Sequence, residues 1–222
     1  MEIIPAILAK DFNELESTME RVKGLVPLVQ IDVSDGKFTP EATWPYRKPD
    51  ENFKAILKEE RGMPFWEELD VEVHLMVEKP EDVALSWIAA GASRIIAHIE
   101  TGEHFKNFID ITKGLVEVGV AINLGTPLEN IAPYIDNIDV IQCMGIKRVG
   151  FQGEAFDPIV IGTVRELRLR YGGKPISVDG GVNLDNVSAL LDSGANRLVV
   201  GSAILKSDDV KGTIEQFHNV LK

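Results

Sequence analysis

Eight short apolar runs alternate with longer amphipathic segments along the 222-residue chain. The runs are rich in β-branched residues and almost continuously apolar, which is typical of strands buried on both faces of a parallel sheet. Eight β/α units of about 28 residues each predict a single α/β domain folded as a (β/α)8 TIM barrel, whose usual size is about 200 to 250 residues. A doubly wound open sheet is the structural alternative. The predicted strands span residues 3–8, 28–33, 71–76, 94–98, 120–124, 140–144, 175–179 and 197–201.

The barrel domain is expected to occupy residues 1–222, with one long irregular excursion at about 36–69 that is rich in proline and aromatic residues. A helix is expected within it, near residues 52–60. In a barrel this stretch leaves the carboxyl end of the second strand, where functional loops lie, so one interpretation is a lid or a pocket wall. An oligomer contact or a simple insertion is the other.

Capping patterns mark several helix boundaries. Asp11 followed by Glu14 resembles a capping box that opens the first helix, and Thr126 followed by Glu129 resembles a second one. Gly119 is expected to end a helix just before the fifth strand, because glycine is the usual residue where a helix stops and the chain turns.

Charge and cysteine content narrow the classes of partner. The 23 basic and 35 acidic residues give a net charge of −12, which disfavours binding to nucleic acid or to an anionic membrane surface. The lone Cys143 excludes an internal disulfide and a cysteine-cluster metal site, and it fits a reducing compartment. The chain has no signal-like start and no apolar stretch approaching about 18 residues, so a cytoplasmic location is expected.

Four chemically capable side chains fall at the carboxyl ends of predicted strands, which is where barrel enzymes place their active sites. They are Asp32, His74, His98 and Asp179. A carboxylate in an apolar run is costly to bury unless it is paired, bound to metal or functional, so we interpret Asp32 and Asp179 as functional. A lone strand-end histidine such as His98 is more typical of a hydrogen-bonded structural residue.

Three small-residue turns follow the last three strands and converge on the same edge of the barrel. Small residues let backbone N–H groups approach an anion, and barrels commonly hold phosphate beside the loops after the last two strands. The turns predict a phosphate site on a protein that is acidic overall. Their residues are Gly150, Phe151, Gln152, Gly153, Gly180, Gly181, Gly201 and Ser202.

The order of these motifs resembles that of the ribulose-phosphate 3-epimerase family over nearly the whole chain. The most specific pieces are the second-strand Asp with its following Asp-Gly, the His-Leu-Met of the third strand and the Asp-Gly-Gly-Val of the seventh. The matching segments are Ile4-Pro5-Ala6-Ile7-Leu8, Ile31-Asp32-Val33-Ser34-Asp35-Gly36-Lys37-Phe38, Val73-His74-Leu75-Met76, Asn123-Leu124-Gly125-Thr126-Pro127, Gly150-Phe151-Gln152-Gly153-Glu154-Ala155-Phe156, Val178-Asp179-Gly180-Gly181-Val182-Asn183 and Gly201-Ser202-Ala203-Ile204.

The resemblance implies an epimerase that acts beside the ketone of a ketose phosphate through a metal-stabilised enediolate. Asp32 and Asp179 match the family's two acid–base positions, and Met76 and Met144 match sulfur positions beneath the reacting carbons. Three of the four metal-ligand positions match, at Asp32, His74 and Asp179. The implied cofactor is a divalent metal ion that polarises the carbonyl. The family also makes a homo-oligomer plausible.

Four positions around the implied site depart from the family pattern. The fourth ligand position, a histidine in the family, is Gln30, and the other departures are Ala6, Ser34 and Lys37. Because an amide oxygen replaces imidazole poorly on zinc, we expect weaker zinc binding or a shift toward magnesium, manganese or iron, or a site that holds metal weakly or not at all.

Two alternatives remain open at this point. A non-catalytic phosphosugar-binding protein on the same barrel would bind ligand without turnover. A related barrel lyase or aldolase would use Lys37 or Lys147 as a Schiff-base lysine, although both lie in polar loop sequence rather than in the desolvated setting that lowers a lysine pKa.

Overall fold

Eight parallel strands close into a barrel in the computed structural model, which describes residues 1–220. Each strand pairs with its sequence neighbours, and the first pairs with the last, so the predicted barrel is confirmed and the open sheet is excluded. Residues 221–222 of the predicted domain lie outside the described residues. The strands are β1 (Glu2–Ile7), β2 (Leu28–Ser34), β3 (Asp70–Met76), β4 (Arg94–His98), β5 (Glu117–Ile122), β6 (Val140–Met144), β7 (Ile176–Asp179) and β8 (Arg197–Val200).

The helices surround the barrel and cover the outward faces of its strands. Apolar residues from both layers form the main core. The α-helices are α1 (Phe12–Val22), α2 (Glu51–Leu57), α3 (Glu81–Ala89), α4 (Glu103–Thr112), α5 (Ile159–Arg170), α6 (Val187–Ser193), α7 (Ser202–Leu205) and α8 (Val210–Val220), and 3₁₀ helices span Ile99–Thr101 and Leu128–Asn137.

Of the two predicted capping boxes, the first is observed in part, because Glu14 accepts from the backbone N–H of Lys10 rather than of Asp11. The Asp11 side chain accepts a 3.0 Å hydrogen bond from the backbone N–H of Glu14 and caps α1. The second prediction is wrong, because the Thr126 hydroxyl donates to the Glu100 carboxylate, and Leu128–Asn137 is a 3₁₀ helix with an internal proline and no side-chain cap.

The fifth strand begins at Glu117, earlier than predicted. Gly119 therefore lies inside β5, and the prediction that it ends a helix is wrong. A Cβ atom at Gly119 would lie 2.7 Å from side-chain carbons of both Ile96 and Val140. The glycine therefore lets the neighbouring strands' side chains fill the barrel at this level.

Inside the barrel the middle is apolar. Two small clusters of buried residues fill it, separate from the main core. They consist of Ile4, Ala6 and Val199, and of Ile96, Ala121 and Val140.

The amino-terminal end of the barrel holds a network of buried charges. Arg197, which is only 3% exposed, forms ion pairs with Glu72 and Glu2, and its Nε–H donates to the Ser177 hydroxyl at 2.9 Å. Arg94 donates to the same Glu72 carboxylate at 2.6 Å. Because buried charges are costly unless they are paired, these ion pairs offset part of the cost of burying Arg197 and Glu72.

The excursion after β2 is anchored in the core. Its Trp44 is buried and contacts the rings of Phe12, Phe53 and Trp87. Its helix, α2, ends three residues before the predicted boundary at 60. The first part of the excursion passes over the carboxyl ends of the strands and lines a depression beside the central cavity.

Candidate active site

Asp32, His74 and Asp179 come together at the carboxyl end of the barrel, as predicted. Asp32 and His74 are register partners on β2 and β3, and Asp179 is the last residue of β7. His74 Nδ1 lies 3.2 Å from Asp32 Oδ1 and 3.3 Å from Asp179 Oδ2, and all three residues are buried. The imidazole therefore links the two carboxylates.

Burial and mutual charge set the protonation of this group. Burial raises the pKa of Asp32 to about 6, and the charge of Asp179 adds to the rise, while hydrogen bonds from His74 and Gln30 oppose it. Burial alone would lower the pKa of His74, but its hydrogen bonds and charge attraction to the two carboxylates outweigh burial and raise it to about 9. Without a metal ion, the site near pH 7 thus holds a protonated imidazole between two carboxylates.

Two buried glutamine amides complete the hydrogen bonding of the carboxylates. Gln30 Nε2 donates to Asp32 Oδ1 at 2.8 Å and to Asp179 Oδ2 at 3.0 Å. Gln142, on β6, donates to the same Asp179 oxygen at 3.0 Å. Among the described residues, neither amide oxygen has a hydrogen-bond partner. Sequence reasoning missed Gln142, and the signal was there, since it is an amide in an otherwise apolar strand.

The donor set fits a divalent metal ion. One ligand atom from each of Asp32, His74 and Asp179 lies within 4.8 Å of the others, which is compatible with a site of three protein ligands and an open position. Gln30 would have to turn its amide so that the unpartnered oxygen, rather than Nε2, faces the ion. The residues could therefore hold a metal, with Gln30 as a neutral fourth neighbour.

A second imidazole lies behind the first. His98 Nε2 is 3.0 Å from His74 Nε2, and His98 Nδ1 is 3.0 Å from the Glu100 carboxylate. Burial lowers the pKa of His98 below its ordinary value. The ring of Phe38 covers His98 at 4.7 Å between centroids. His98 is therefore a buried, hydrogen-bonded residue, and its partners connect it directly to the site.

A cavity of about 410 Å³ opens above the three residues. With the exception of Gln30, which lies beneath it, every predicted site residue lines this cavity. The predicted lining residues are Asp32, His74, Met76, Met144, Gly150, Phe151, Gln152, Gly153, Asp179, Gly180, Gly181, Gly201 and Ser202.

At the rim of the cavity, Gly181 requires glycine for two reasons. Gly181 has φ of +69°, and a Cβ there would lie 2.7 Å from the Cα atom of Phe156. At Gly201 a Cβ would be in ordinary contact with the side-chain amide of Gln152, and that amide donates to the Ala6 carbonyl at 3.2 Å, which ties the β6 loop to β1. Both glycines line the cavity, so no side chain stands between it and the backbone at these two positions.

One lining cation was not predicted. Lys206 lines the cavity, and its ammonium lies 3.9 Å from the position of a Cβ on Gly153. The sequence around Lys206 did not indicate a binding residue, because Lys206 follows α7 in a polar stretch. By contrast, Lys37 and Lys147 are largely exposed and lie 3.8 Å from Glu78 and 3.4 Å from Asp157, respectively, so neither has the desolvated setting of a Schiff-base lysine.

Fold and site together define a (β/α)8-barrel protein with an acid–base group at the carboxyl end of its strands. A family model described as the ribulose-phosphate 3 epimerase family matches residues 2–205, and the chain belongs to that family. It is 31% identical over 225 residues to the ribulose-phosphate 3-epimerase of Bacillus subtilis (strain 168), with 98% of each chain covered. It is 32% identical to the enzyme of the same name from Escherichia coli (strain K12), with 99% of this chain and 95% of the relative covered.

A solved structure supports the fold alone. The crystal structure of 3-hexulose-6-phosphate synthase from Salmonella typhimurium matches with a TM-score of 0.71 and 19% identity, covering 100% of this chain and 98% of that one. Within residues 1–220, no helix has the length and apolar character needed to span a membrane.

Proposed function

We propose that this protein is a phosphosugar epimerase that inverts the carbon beside the ketone of a ketopentose phosphate of the ribulose-phosphate type. The observation that carries the proposal is the pair of buried carboxylates at the floor of the cavity. Asp32 on β2 and Asp179 on β7 come from strands separated by β1 and β8 in the closed sheet. Membership in the epimerase family supports the same activity.

Inversion requires that a proton leave one face of the carbon and that another arrive on the opposite face. One of the two carboxylates removes the first proton, and the other, in its protonated form, delivers the second. In the metal-free site, burial and the charge of Asp179 raise the pKa of Asp32 to about 6. Acid–base assistance of this kind contributes roughly 10² to 10⁴ in rate.

Asp32, His74 and Asp179 would hold a divalent ion, and such an ion polarises a carbonyl and stabilises negative charge that develops on its oxygen. With its amide turned, Gln30 would offer a neutral oxygen where an imidazole would suit zinc, so magnesium, manganese or iron is favoured over zinc. Met76 and Met144 place polarisable side chains on the cavity lining near the reacting carbons.

The phosphate group binds at the glycine-rich rim. Backbone N–H groups of the turns at Gly180, Gly181 and Gly201 would donate to its oxygens, together with the Ser202 hydroxyl. Lys206 adds a positive charge at this end of the cavity. Local donors of this kind allow a protein with a net charge of −12 to bind a small anion.

The test is proton exchange. The purified protein, loaded in turn with Mg²⁺, Mn²⁺, Fe²⁺ or Zn²⁺, is incubated in D₂O with D-ribulose 5-phosphate and, separately, with hexulose phosphates, and loss of the C3 proton signal is followed by NMR. Exchange is expected with at least one pairing and should be lost in Asp32→Asn and Asp179→Asn. Asp110→Asn, an exposed change on α4, is the matched control and should exchange at the unaltered rate.

Absence of exchange with every ketose phosphate and metal would overturn the proposal. Thermal stabilisation by a ketose phosphate without exchange would instead favour a non-catalytic binding protein. Trapping of a keto substrate by borohydride at Lys37 or Lys147 would favour the lyase. A cytoplasmic location and assembly into a homo-oligomer stay predictions.

A further inference from the structure

A chain of three hydrogen-bonding groups leads from the metal-binding side chains toward the surface. His74 is followed by His98 and then by Glu100, through contacts of 3.0 Å at each step. Glu100 is fixed at its far end, because its Oε1 accepts from the backbone N–H of Asn123 at 2.8 Å and from the Thr126 hydroxyl. Its other oxygen, Oε2, faces His98.

The direction of the hydrogen bonds in this chain follows from the acceptor at its end. The Glu100 carboxylate can only accept, so His98 Nδ1 carries a proton. A metal ion bound at His74 Nδ1 would leave the proton of that ring on Nε2. At the 3.0 Å contact between the two Nε2 atoms, His74 would then donate and His98 would accept. His74 Nδ1, on the other side of the ring, is the atom that faces Asp32 and Asp179.

We propose that Glu100 and His98 are positioning residues that hold the proton of His74 on Nε2, so that its Nδ1 is the atom offered to a metal ion between Asp32 and Asp179. The inference rests on the proposed function in one respect only, which is that the proposed reaction gives the bound ion its role. It assigns a role to His98 and Glu100, which the proton-transfer chemistry leaves unexplained. Such outer partners of a ligating histidine fix its tautomer and ring orientation.

Glu100→Gln is expected to reverse the direction of the hydrogen bonds that connect residue 100, His98 and His74, with little change in side-chain shape. Two donors hold Oε1, so the oxygen of the new amide must stay there and its nitrogen must face His98 Nδ1. His98 would then accept at Nδ1 and donate from Nε2. His74 would become the acceptor at Nε2 and would keep a proton on Nδ1 alone, where it blocks ligation. Glu100→Asp keeps a carboxylate and is the conservative rescue, and Glu103→Gln, on α4, is the matched control.

The readout is the protonation of individual ring nitrogens, measured by two-bond ¹H–¹⁵N correlation on histidine-labelled, metal-free protein. The chain has four histidines, so the rings can be assigned by single substitution. In the unaltered protein, His98 is expected to carry its proton on Nδ1, and His74, which lies between two carboxylates, is expected to carry protons on both nitrogens. In Glu100→Gln, His98 should be protonated at Nε2 and His74 at Nδ1 alone.

Calorimetric titration with Zn²⁺ and with Mn²⁺ gives a second readout. Affinity is expected to fall about 10- to 100-fold in Glu100→Gln, to return in part in Glu100→Asp and to stay unchanged in Glu103→Gln. A native His98 that is protonated at Nε2 would overturn the proposal without any variant, which covers the case that Glu100→Gln does not fold. Unchanged tautomers and unchanged metal affinity in Glu100→Gln would also overturn it. Neither readout uses a sugar phosphate, so loss of the proposed epimerase activity would be seen separately.

Discussion

Replacing Asp32 by asparagine is expected to stabilise the metal-free protein at pH 7 while it abolishes proton exchange. Burial and the charge of Asp179 raise the pKa of Asp32 from 3.8 to about 6. The native state therefore keeps a proton that the unfolded chain releases, and the free energy of unfolding falls as the pH rises from about 4 to about 6, then levels off. The difference between the two pKa values corresponds to about 3 kcal/mol.

Asparagine removes this cost with little change in geometry. Its Oδ1 can accept the same hydrogen bonds, from Gln30 at 2.8 Å and from His74 at 3.2 Å. His74 loses one of its two charged partners and keeps Asp179, so the net gain at pH 7 is expected to lie between about 1 and 3 kcal/mol. Near pH 4 both proteins are neutral at this position and should be equally stable.

The assay is urea unfolding in EDTA, followed by the fluorescence of the three tryptophans, at pH 4 and at pH 7. The control is Asp110→Asn, an exposed change that should leave the difference between the two pH values as it is in the unaltered protein. The reasoning is refuted if Asp32→Asn is less stable than the unaltered protein at pH 7, or if its gain is the same at both pH values.

Three further changes test the surroundings of the site. Lys206→Met should raise both KM and the Kd for inorganic phosphate about tenfold, a loss of about 1.4 kcal/mol, with kcat within about a factor of two; unchanged constants would exclude Lys206 from the phosphate site. Gln30→His should raise the affinity for Zn²⁺ at least about tenfold by calorimetry, and equal affinity would mean that residue 30 does not face the ion. Gly181→Ala should lower the free energy of unfolding by about 2 kcal/mol or more, because it combines a positive φ with a clash at Phe156; a variant of native stability would contradict that geometry.

The barrel could be predicted from the sequence because strands buried on both faces have a continuous apolar pattern, and all eight runs are strands. The errors fall where one residue type serves two purposes. Gly119 is a close-packing glycine inside β5 rather than a helix end. Thr126 is a donor to Glu100 rather than a helix cap. A local pattern cannot distinguish these uses, since each depends on a neighbour distant in the sequence.

The same limit applies to the site. Strand-end placement and the family motifs brought Asp32, His74 and Asp179 together in advance, because parallel strands present their carboxyl ends on one face. Gln142 was visible as an amide in an apolar strand, but its role, like that of Lys206, depends on side-chain contacts across the barrel that the sequence does not show. Gln30 was predicted as a weak metal neighbour, but its hydrogen bonds to both carboxylates required coordinates.

The buried charges around Arg197 and the apolar clusters above them determine how a substrate can enter and leave the cavity. These residues fill the barrel below the cavity, so the cavity opens only at the carboxyl end of the strands. A substrate and its epimer differ only in the configuration of one carbon. Each must leave through this opening before the other can enter. Product should therefore behave as a purely competitive inhibitor of the forward reaction, and the two sugars should exclude each other at every concentration.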